Sequence, residues 1–158
     1  MFVAELSRES PRGKVLIATG FMEQQLRNVL ASFMRKSVDV DVLLDGSTAP
    51  LGTFSARITA CHALGLITDD ENHDLGLIRK IRNQFAHTTQ ISFDAPTITD
   101  RCAILRMIAP DYESEDRGSV VMTASQKFET AAVAIIMNLV NRPYYVGLER
   151  RTLRSWPY

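Results

Sequence analysis

One short segment contains residues whose types and spacing could support catalysis: Arg82, Asn83 and His87. Histidine takes up and releases a proton near neutral pH. Arginine presents a planar fork that matches two phosphate oxygens and stabilises charge developing on phosphorus, and the amide of Asn83 could orient the histidine or the substrate. Together they could cleave RNA without a metal, with the RNA's own 2′-hydroxyl as the nucleophile, a reaction that DNA cannot undergo.

The separation of Arg82 and His87 restricts this chemistry. On a continuous helix, five positions correspond to about 140° of rotation, so the two side chains would point apart. A shared site requires that the helix ends or distorts between them, or that two chains each contribute one residue. Thr88 and Thr89 directly follow His87 and are weak helix formers, so the sequence predicts a helix end near His87.

The same residues also have a structural interpretation. Arg82 lies within an apolar stripe of its predicted helix, where an arginine packs its stem and pairs its fork with a carboxylate of another helix. Glu23 is the candidate partner, which makes Glu23 and Arg82 a predicted structural pair. His87 would then cap a helix C-terminus. Because an Arg and a His five residues apart often occur together by chance, the spacing alone favours this interpretation.

The helices that must position these residues follow from apolar periodicity and from capping signals. They are predicted from Ser10-Pro11 to about Lys36, from Thr53 to Leu66, from a Thr68–Glu71 capping box through the Arg82 segment, from Asp94-Ala95-Pro96 to near Pro110, and from Ser119 to Asn141, ending at Arg142-Pro143. Between them, Ser37 to Gly52 is predicted to be irregular, with a short strand over Val38–Leu44 as the alternative, and Asp111 to Gly118 is predicted to be a surface loop.

Five predicted helices and no other strand pattern indicate an all-α fold, a single-domain helical bundle over residues 1–142. Residues 143–158 are predicted to form an irregular, basic and aromatic C-terminal tail. The chain of 158 residues is 46% hydrophobic and 23% charged, which suits one globular domain and excludes a disordered chain. Two cysteines, no signal-like segment and no apolar run long enough for a bilayer predict a cytoplasmic protein without a membrane span.

Charge and spacing also limit the ligands. The 18 basic and 18 acidic side chains cancel, which argues against a protein whose whole surface binds nucleic acid but permits local basic sites. Four arginines and one tryptophan are candidates for binding nucleic acid or a partner protein: Arg79, Arg150, Arg151, Arg154 and Trp156. The arginines and aromatic side chains of the tail could stack on nucleic acid or pack across a partner subunit.

Two further kinds of site are not favoured by the sequence. Cys61, His62, His73 and Cys102 lack the spacing of metal ligands, so neither a metal nor a cofactor is predicted.

The nearest approach to a helix-turn-helix spans Thr53 to His87. Its second helix begins with acidic residues, which would face DNA phosphates with the wrong sign. Direct, specific DNA binding is therefore not expected.

The segment Arg82-Asn83-Gln84-Phe85-Ala86-His87 resembles the Arg-x4-6-His motif of the HEPN superfamily. The resemblance implies a small all-α protein, usually dimeric, in a superfamily with many endoribonucleases and toxins. In that superfamily the Arg and His of two protomers line one shared cleft. Carried over residue by residue, the motif covers Arg82, Asn83 and His87.

A second resemblance, to the mannitol operon repressor family, covers about residues 3 to 110. The segments that carry it, in this order, are Glu9-Ser-Pro-Arg-Gly13, Gly20-Phe-Met-Glu-Gln-Gln-Leu26, Leu51-Gly-Thr-Phe-Ser-Ala-Arg57, Ala63-Leu-Gly-Leu-Ile67 and Ile78 to His87. The resemblance implies an all-helical bacterial transcription regulator without a clear helix-turn-helix. We therefore expect a cytoplasmic, homodimeric regulator that acts through contacts with protein or RNA, with a metal-independent endoribonuclease as the alternative.

Overall fold

A computed structural model of the chain describes residue 6, residues 8–108 and residues 121–158. These residues form α-helices and no strand, which confirms the all-α prediction. The helices are α1 (Pro11–Phe33), α2 (Val38–Leu44), α3 (Phe54–Ala63), α4 (Asp69–His87), α5 (Pro96–Ala103) and α6 (Ala124–Leu148). No helix in this part of the chain is long and apolar enough to cross a membrane.

The long helix α1 organises the bundle, and it begins where the sequence predicts. The Ser10 side chain accepts a hydrogen bond from the Gly13 amide at 3.1 Å, and Pro11 occupies the first turn. The helix packs most extensively against α6 and also contacts α3 and α4. Lys14 forms an ion pair with Glu129 near the start of both long helices, and Arg150 reaches the Ala31 carbonyl near their ends. Hence α1 and α6 run in the same direction.

The core between these helices is apolar and closely packed. Its aromatic part joins α4, the segment before α5, and α6: the rings of Phe85 and Phe93 lie 5.2 Å apart, and those of Phe93 and Phe128 lie 5.4 Å apart. Phe85 and Phe128 are fully buried. Burial of rings of this size is a major source of stability in a domain of this length.

The segment Val38–Leu44 is a short helix, so both sequence-based interpretations of it, irregular chain and strand, are wrong. The Ser37 side chain accepts a hydrogen bond from the Asp39 amide at 3.1 Å, which caps the helix. Asp39 and Asp41 lie in its first turn, where negative charge favours the helix dipole. The described residues include no strand with which this segment could pair, so the alternation of Val and Asp is not used in a sheet there.

Several helices end earlier than predicted because their last carbonyls or amides are used by other segments. The helix α1 ends at Phe33, not near Lys36, and α3 ends at Ala63, not at Leu66. After α3, Gly65 adopts a left-handed φ of 70°, and the Leu66 amide returns to the Cys61 carbonyl at 2.8 Å, a glycine-based helix stop. The helix α5 ends at Ala103, well before Pro110.

The opposite correction applies to α6, which continues through Pro143 to Leu148 instead of ending at Arg142-Pro143. The irregular segment therefore begins at Glu149. A proline inside a helix removes one backbone donor and costs about 3 kcal/mol in an isolated helix. Arg142 and Val146 hold the helix beyond this point, since Arg142 is anchored to α4 and Val146 is buried. The predicted Asp111 to Gly118 loop lies outside the described residues.

Candidate functional site

The helix α4 carries Arg82, Asn83 and His87, and it is continuous from Asp69 to His87. Arg82 donates a hydrogen bond from Nη1 to Asn83 Oδ1 at 3.2 Å, and both residues are half-buried. His87, in the last turn, is exposed. The helix neither ends nor distorts between Arg82 and His87, so their side chains leave it about 140° apart. A single chain therefore brings Arg82 and Asn83 together but not His87.

The predicted structural pair of Glu23 with Arg82 is not formed. Glu23 Oε1 instead lies 3.9 Å from Nη1 of Arg57 on α3. Arg57 is buried, and its guanidinium also donates to the carbonyls of Leu51 at 2.9 Å, Leu44 at 2.7 Å and Glu23 at 3.2 Å. The reason is geometric: this stretch of α1 faces α3, where Arg57 closes the α2–α3 connection.

Arg82 belongs to a group of cations in the second half of α4, which we call the basic face: Arg79, Lys80 and Arg82, together with Asn83. Arg82 and Lys80 are about 160° apart around the helix axis, with Arg79 and Asn83 between them, so the group covers nearly half of the helix circumference. Within the described residues, no carboxylate lies within 4.0 Å of these three cations. A Cβ atom added at Gly76, one turn before Lys80, would meet nothing within 4 Å. The basic face is therefore open and uncompensated there.

The beginning of the same helix is anchored by carboxylates. Glu71 is 1% exposed and completes the predicted capping box, since Thr68 N donates to Glu71 Oε2 at 2.8 Å and Glu71 N donates to Thr68 Oγ1 at 3.2 Å. From α6, Arg142 adds donations of 2.9 Å and 2.7 Å to the two carboxylate oxygens, and Asn138 adds one at 3.2 Å. This bidentate pairing through both Nη atoms of Arg142 ties α4 to α6.

A second buried carboxylate, Asp74, holds the segment after α5. Asp74 is fully buried, and it accepts hydrogen bonds from the Arg106 amide at 2.9 Å and from the Met107 amide at 2.7 Å. His73 Nδ1 lies 2.9 Å from the same carboxyl group. These amides point at Asp74 instead of continuing α5, which explains the early end of that helix.

A residue of α1 also stabilises the last turn of α4. Arg12, in the first turn of α1, donates to the carbonyls of Thr88 and Thr89. These carbonyls lie at the negative end of the helix dipole, where a cation is stabilising. The Arg12 contact fixes the end of α4 beside the exposed His87.

Sequence reasoning missed Lys80, Arg142 and Asp74. Arg142 stands before a proline and looked like part of a helix stop, while Asp74 looked like one more surface acid. A charged residue inside a strongly apolar helical pattern was the available signal for Asp74, since Leu75, Leu77 and Ile78 follow it.

The candidate binding residues of the tail fall into two groups. Arg150 donates to the carbonyls of Ala31 at 3.1 Å and Met34 at 3.0 Å. The Arg151 amide donates to Phe33 O at 2.8 Å, and its guanidinium lies 6.0 Å from the Phe33 ring. These two arginines cap the C-terminus of α1 and are used within the chain. Arg154 and Trp156 are exposed, and the Trp156 ring stacks on Tyr158 at 6.4 Å.

The two cysteines are buried thiols. Cys61 Sγ donates to the Leu26 carbonyl at 3.8 Å, and burial raises the pKa of Cys61 to about 12. Burial likewise raises the pKa of Cys102 to about 11. His62 and His73 lie against Asp69 and Asp74 at 2.8 Å and 2.9 Å. In the part of the chain that the structure describes, no group of three or more His, Cys, Asp or Glu side chains could hold a metal ion.

We compared the chain with protein families, with curated proteins and with solved structures. No family model matches the chain, and no curated protein matches it. The chain is similar to a solved structure described as the X-ray structure of the MtlR-HPr complex from Escherichia coli, with 21% sequence identity and a TM-score of 0.61. The match covers 92% of this chain and 95% of that chain. The two chains therefore share an all-α fold over nearly their whole length.

Proposed function

We propose that this protein is a cytoplasmic bacterial transcription regulator of the MtlR type that acts by binding a partner protein through the basic face of α4. The observation that carries the proposal is the set of Arg79, Lys80 and Arg82, which no carboxylate in the described residues neutralises. The fold shared with the MtlR-HPr structure supports the regulator assignment, as does the ordered resemblance to the mannitol operon repressor family.

The contacts of α4 favour a protein partner over direct reading of DNA. A recognition helix presents its first turns to the DNA. In α4 those turns carry Asp69, Asp70 and Glu71, and each of these acids has a partner within the chain: His62, Arg106 and Arg142 respectively. The cations begin only at Arg79. A protein with an acidic or polar surface fits this face, because complementary charge sets both the orientation and the rate of association.

The partner we nominate is HPr, since the similar E. coli structure is a complex of MtlR with HPr. The nomination depends on the shared fold. It is tested directly by isothermal titration of this protein with purified E. coli HPr and, in parallel, with the HPr of the source organism. A Kd in the micromolar range or tighter with either one supports the proposal. No heat of binding at several hundred micromolar of both would reject HPr as the partner.

The variants identify the surface. Arg79→Ala combined with Arg82→Ala removes two charges from the basic face, and we expect binding to weaken at least tenfold, or about 1.4 kcal/mol. The matched control is Arg35→Ala combined with Lys36→Ala, two exposed cations after α1 that make the same change in net charge. Equal weakening by both pairs would show a general charge effect and would overturn the site assignment. Specific binding of an operator DNA at moderate salt would overturn the indirect mechanism.

The endoribonuclease alternative belongs to a different functional class and keeps one supporting observation: Arg82 is hydrogen-bonded to Asn83 and is not neutralised by a carboxylate within the described residues. His87 would have to come from a second chain. RNA cleavage in the presence of EDTA by the wild-type protein, lost in both Arg82→Ala and His87→Ala, would establish this reaction. Cleavage of none of several RNAs, or equal cleavage by the variants, would exclude it.

A further inference from the structure

The C-terminal half of α6 exposes an apolar stripe that is interrupted only by the uncharged Asn141. Its large members are exposed to the following fractions: Met137 60%, Val140 46%, Tyr144 71% and Leu148 73%, with Tyr145 beside them at 64%. At 3.6 residues per turn, these five side chains cover an arc of about 140° on one face of the helix. The opposite face of the same segment carries Leu139 and Val146, which are buried in the bundle.

The area of the stripe lies at the upper end of the range for apolar patches on monomers. Because an aromatic side chain offers about 150–250 Å² in all, the five exposed side chains together present on the order of 600 Å². The largest apolar patch on an ordinary monomer is about 300–600 Å², and a stable interface takes about 800 Å² from each partner. With its flanking residues, the stripe therefore approaches the area that a stable dimer needs.

The stripe also carries no charge. Between Met137 and Leu148 the only charged residue is Arg142, which turns inward to pair with Glu71. Beside the stripe lies a surface pocket of about 390 Å³ lined by Met137, Asn138, Asn141, Arg142 and Tyr145. A tyrosine ring fits such a pocket, because its ring can pack on Met137 while its hydroxyl meets the asparagine amides.

We propose that this stripe is a homodimer interface, in which α6 of one copy packs against α6 of a second copy about a two-fold axis and Tyr144 of each copy enters the pocket of the other. A two-fold axis places a surface against itself, so a charged face would repel its copy whereas an uncharged one does not. The basic face of α4 carries like charges and would repel its own copy, whereas the uncharged stripe would not. Permanent homodimer interfaces are also more apolar than those of exchanging partners.

The first test is the oligomeric state measured by sedimentation equilibrium over a range of concentrations. We expect the wild-type protein to be a dimer at micromolar concentration, and Tyr144→Lys to raise the dissociation constant at least a hundredfold by placing like charges near each other in an apolar contact. Val42→Lys is the matched control, because Val42 is a 69% exposed apolar residue on the short helix α2. A wild-type monomer at 100 micromolar, or equal weakening by both variants, would overturn the proposal.

The second test reports on geometry and does not depend on loss of binding. Asn141 is exposed near the middle of the stripe, and both native thiols are buried. Under mild oxidation, Asn141→Cys should form a disulfide-linked dimer in high yield, while Val42→Cys should remain largely monomeric on a non-reducing gel. Equal yields would contradict the α6 contact. The Arg79 and Arg82 variants should remain dimeric, so failure of the partner-binding proposal is separable from failure of this one.

Discussion

The two halves of α4 differ in whether their charged side chains have partners within the chain. In the first half, Asp69, Asp70, Glu71 and Asp74 all have partners within the chain. In the second half, Arg79, Lys80 and Arg82 have no carboxylate partner in the residues that the structure describes. One helix therefore uses its acidic end to fix its own position and leaves its basic end available to bind.

Burial accounts for the difference. Glu71 and Asp74 are almost completely buried, and a buried carboxylate is tolerated only when charged or hydrogen-bonding groups replace its water. Arg79 and Arg82 are half-buried and Lys80 is exposed, so water still solvates their charges. The comparison predicts that substitutions in the first half change stability, whereas substitutions in the second half change binding.

The largest effect on stability is expected for Glu71→Gln. The substitution keeps the shape of the side chain but leaves the Arg142 guanidinium, three-quarters buried, without its counter-charge. Removing one member of a buried pair costs about 3–5 kcal/mol, and we expect about 3 because Arg142 retains some solvent. Urea unfolding followed by circular dichroism measures the change.

The control for Glu71 is Asp70→Asn, the neighbouring acid, whose pair with Arg106 is exposed on both sides. Its cost should stay below about 1 kcal/mol. The buried Cys61 thiol provides a local readout, because its pKa of about 12 and its burial keep it unreactive toward iodoacetamide near neutral pH. Alkylation should become faster in Glu71→Gln and not in Asp70→Asn. Equal loss of stability in the two variants would refute the role assigned to burial.

The capping box of α4 was visible in the sequence and its deeper anchors were not. Thr68 and Glu71 are three residues apart, so their mutual hydrogen bonds are decided locally. Arg142 lies 71 residues from Glu71, and only the fold brings them together. The same limit explains the error with Glu23: periodicity places Arg82 on an apolar stripe and Glu23 on a long helix, but it does not give the packing of α1 against α3 that brings Arg57 to Glu23.

Of the candidate site, the sequence identified Arg79, Arg82 and Asn83 because they are neighbours on one helix. It could not assign roles to the tail arginines. Arg150 and Arg151 cap α1 through its carbonyls, a role that depends on α6 continuing through Pro143. Propensity alone ends a helix at such a proline, and packing of Val146 and the anchor of Arg142 outweigh it.

The second largest effect is expected for Asp74→Asn. The carboxylate accepts two backbone amides at 2.9 Å and 2.7 Å, and hydrogen bonds to a buried charge contribute about 1.5–3 kcal/mol. We expect a loss of about 2 kcal/mol in urea unfolding. Hydrogen exchange of the Arg106 and Met107 amides should also accelerate. Asp100→Asn, an exposed acid on α5, is the control, and a similar loss there would show that net charge and not the Asp74 anchor is responsible.

A smaller effect is expected for Thr68→Ala, which removes the side-chain oxygen that caps the first turn of α4. N-cap substitutions of this kind cost about 1 kcal/mol. Thr68→Ser keeps the oxygen and should stay within about 0.5 kcal/mol of the wild type in the same unfolding assay. If Ser and Ala were equally destabilising, the lost methyl contacts and not the cap would explain the change.

The smallest effect on stability is expected in the second half of α4. Arg79→Ala and Arg82→Ala should each change the free energy of unfolding by less than about 0.5 kcal/mol, because neither guanidinium neutralises a buried charge. This small change is the informative result, since the two substitutions combined should weaken partner binding at least tenfold. A loss of about 2 kcal/mol or more in Arg82→Ala would mean that the arginine supports the fold, and the two halves of α4 would then not differ in the way that the described contacts indicate.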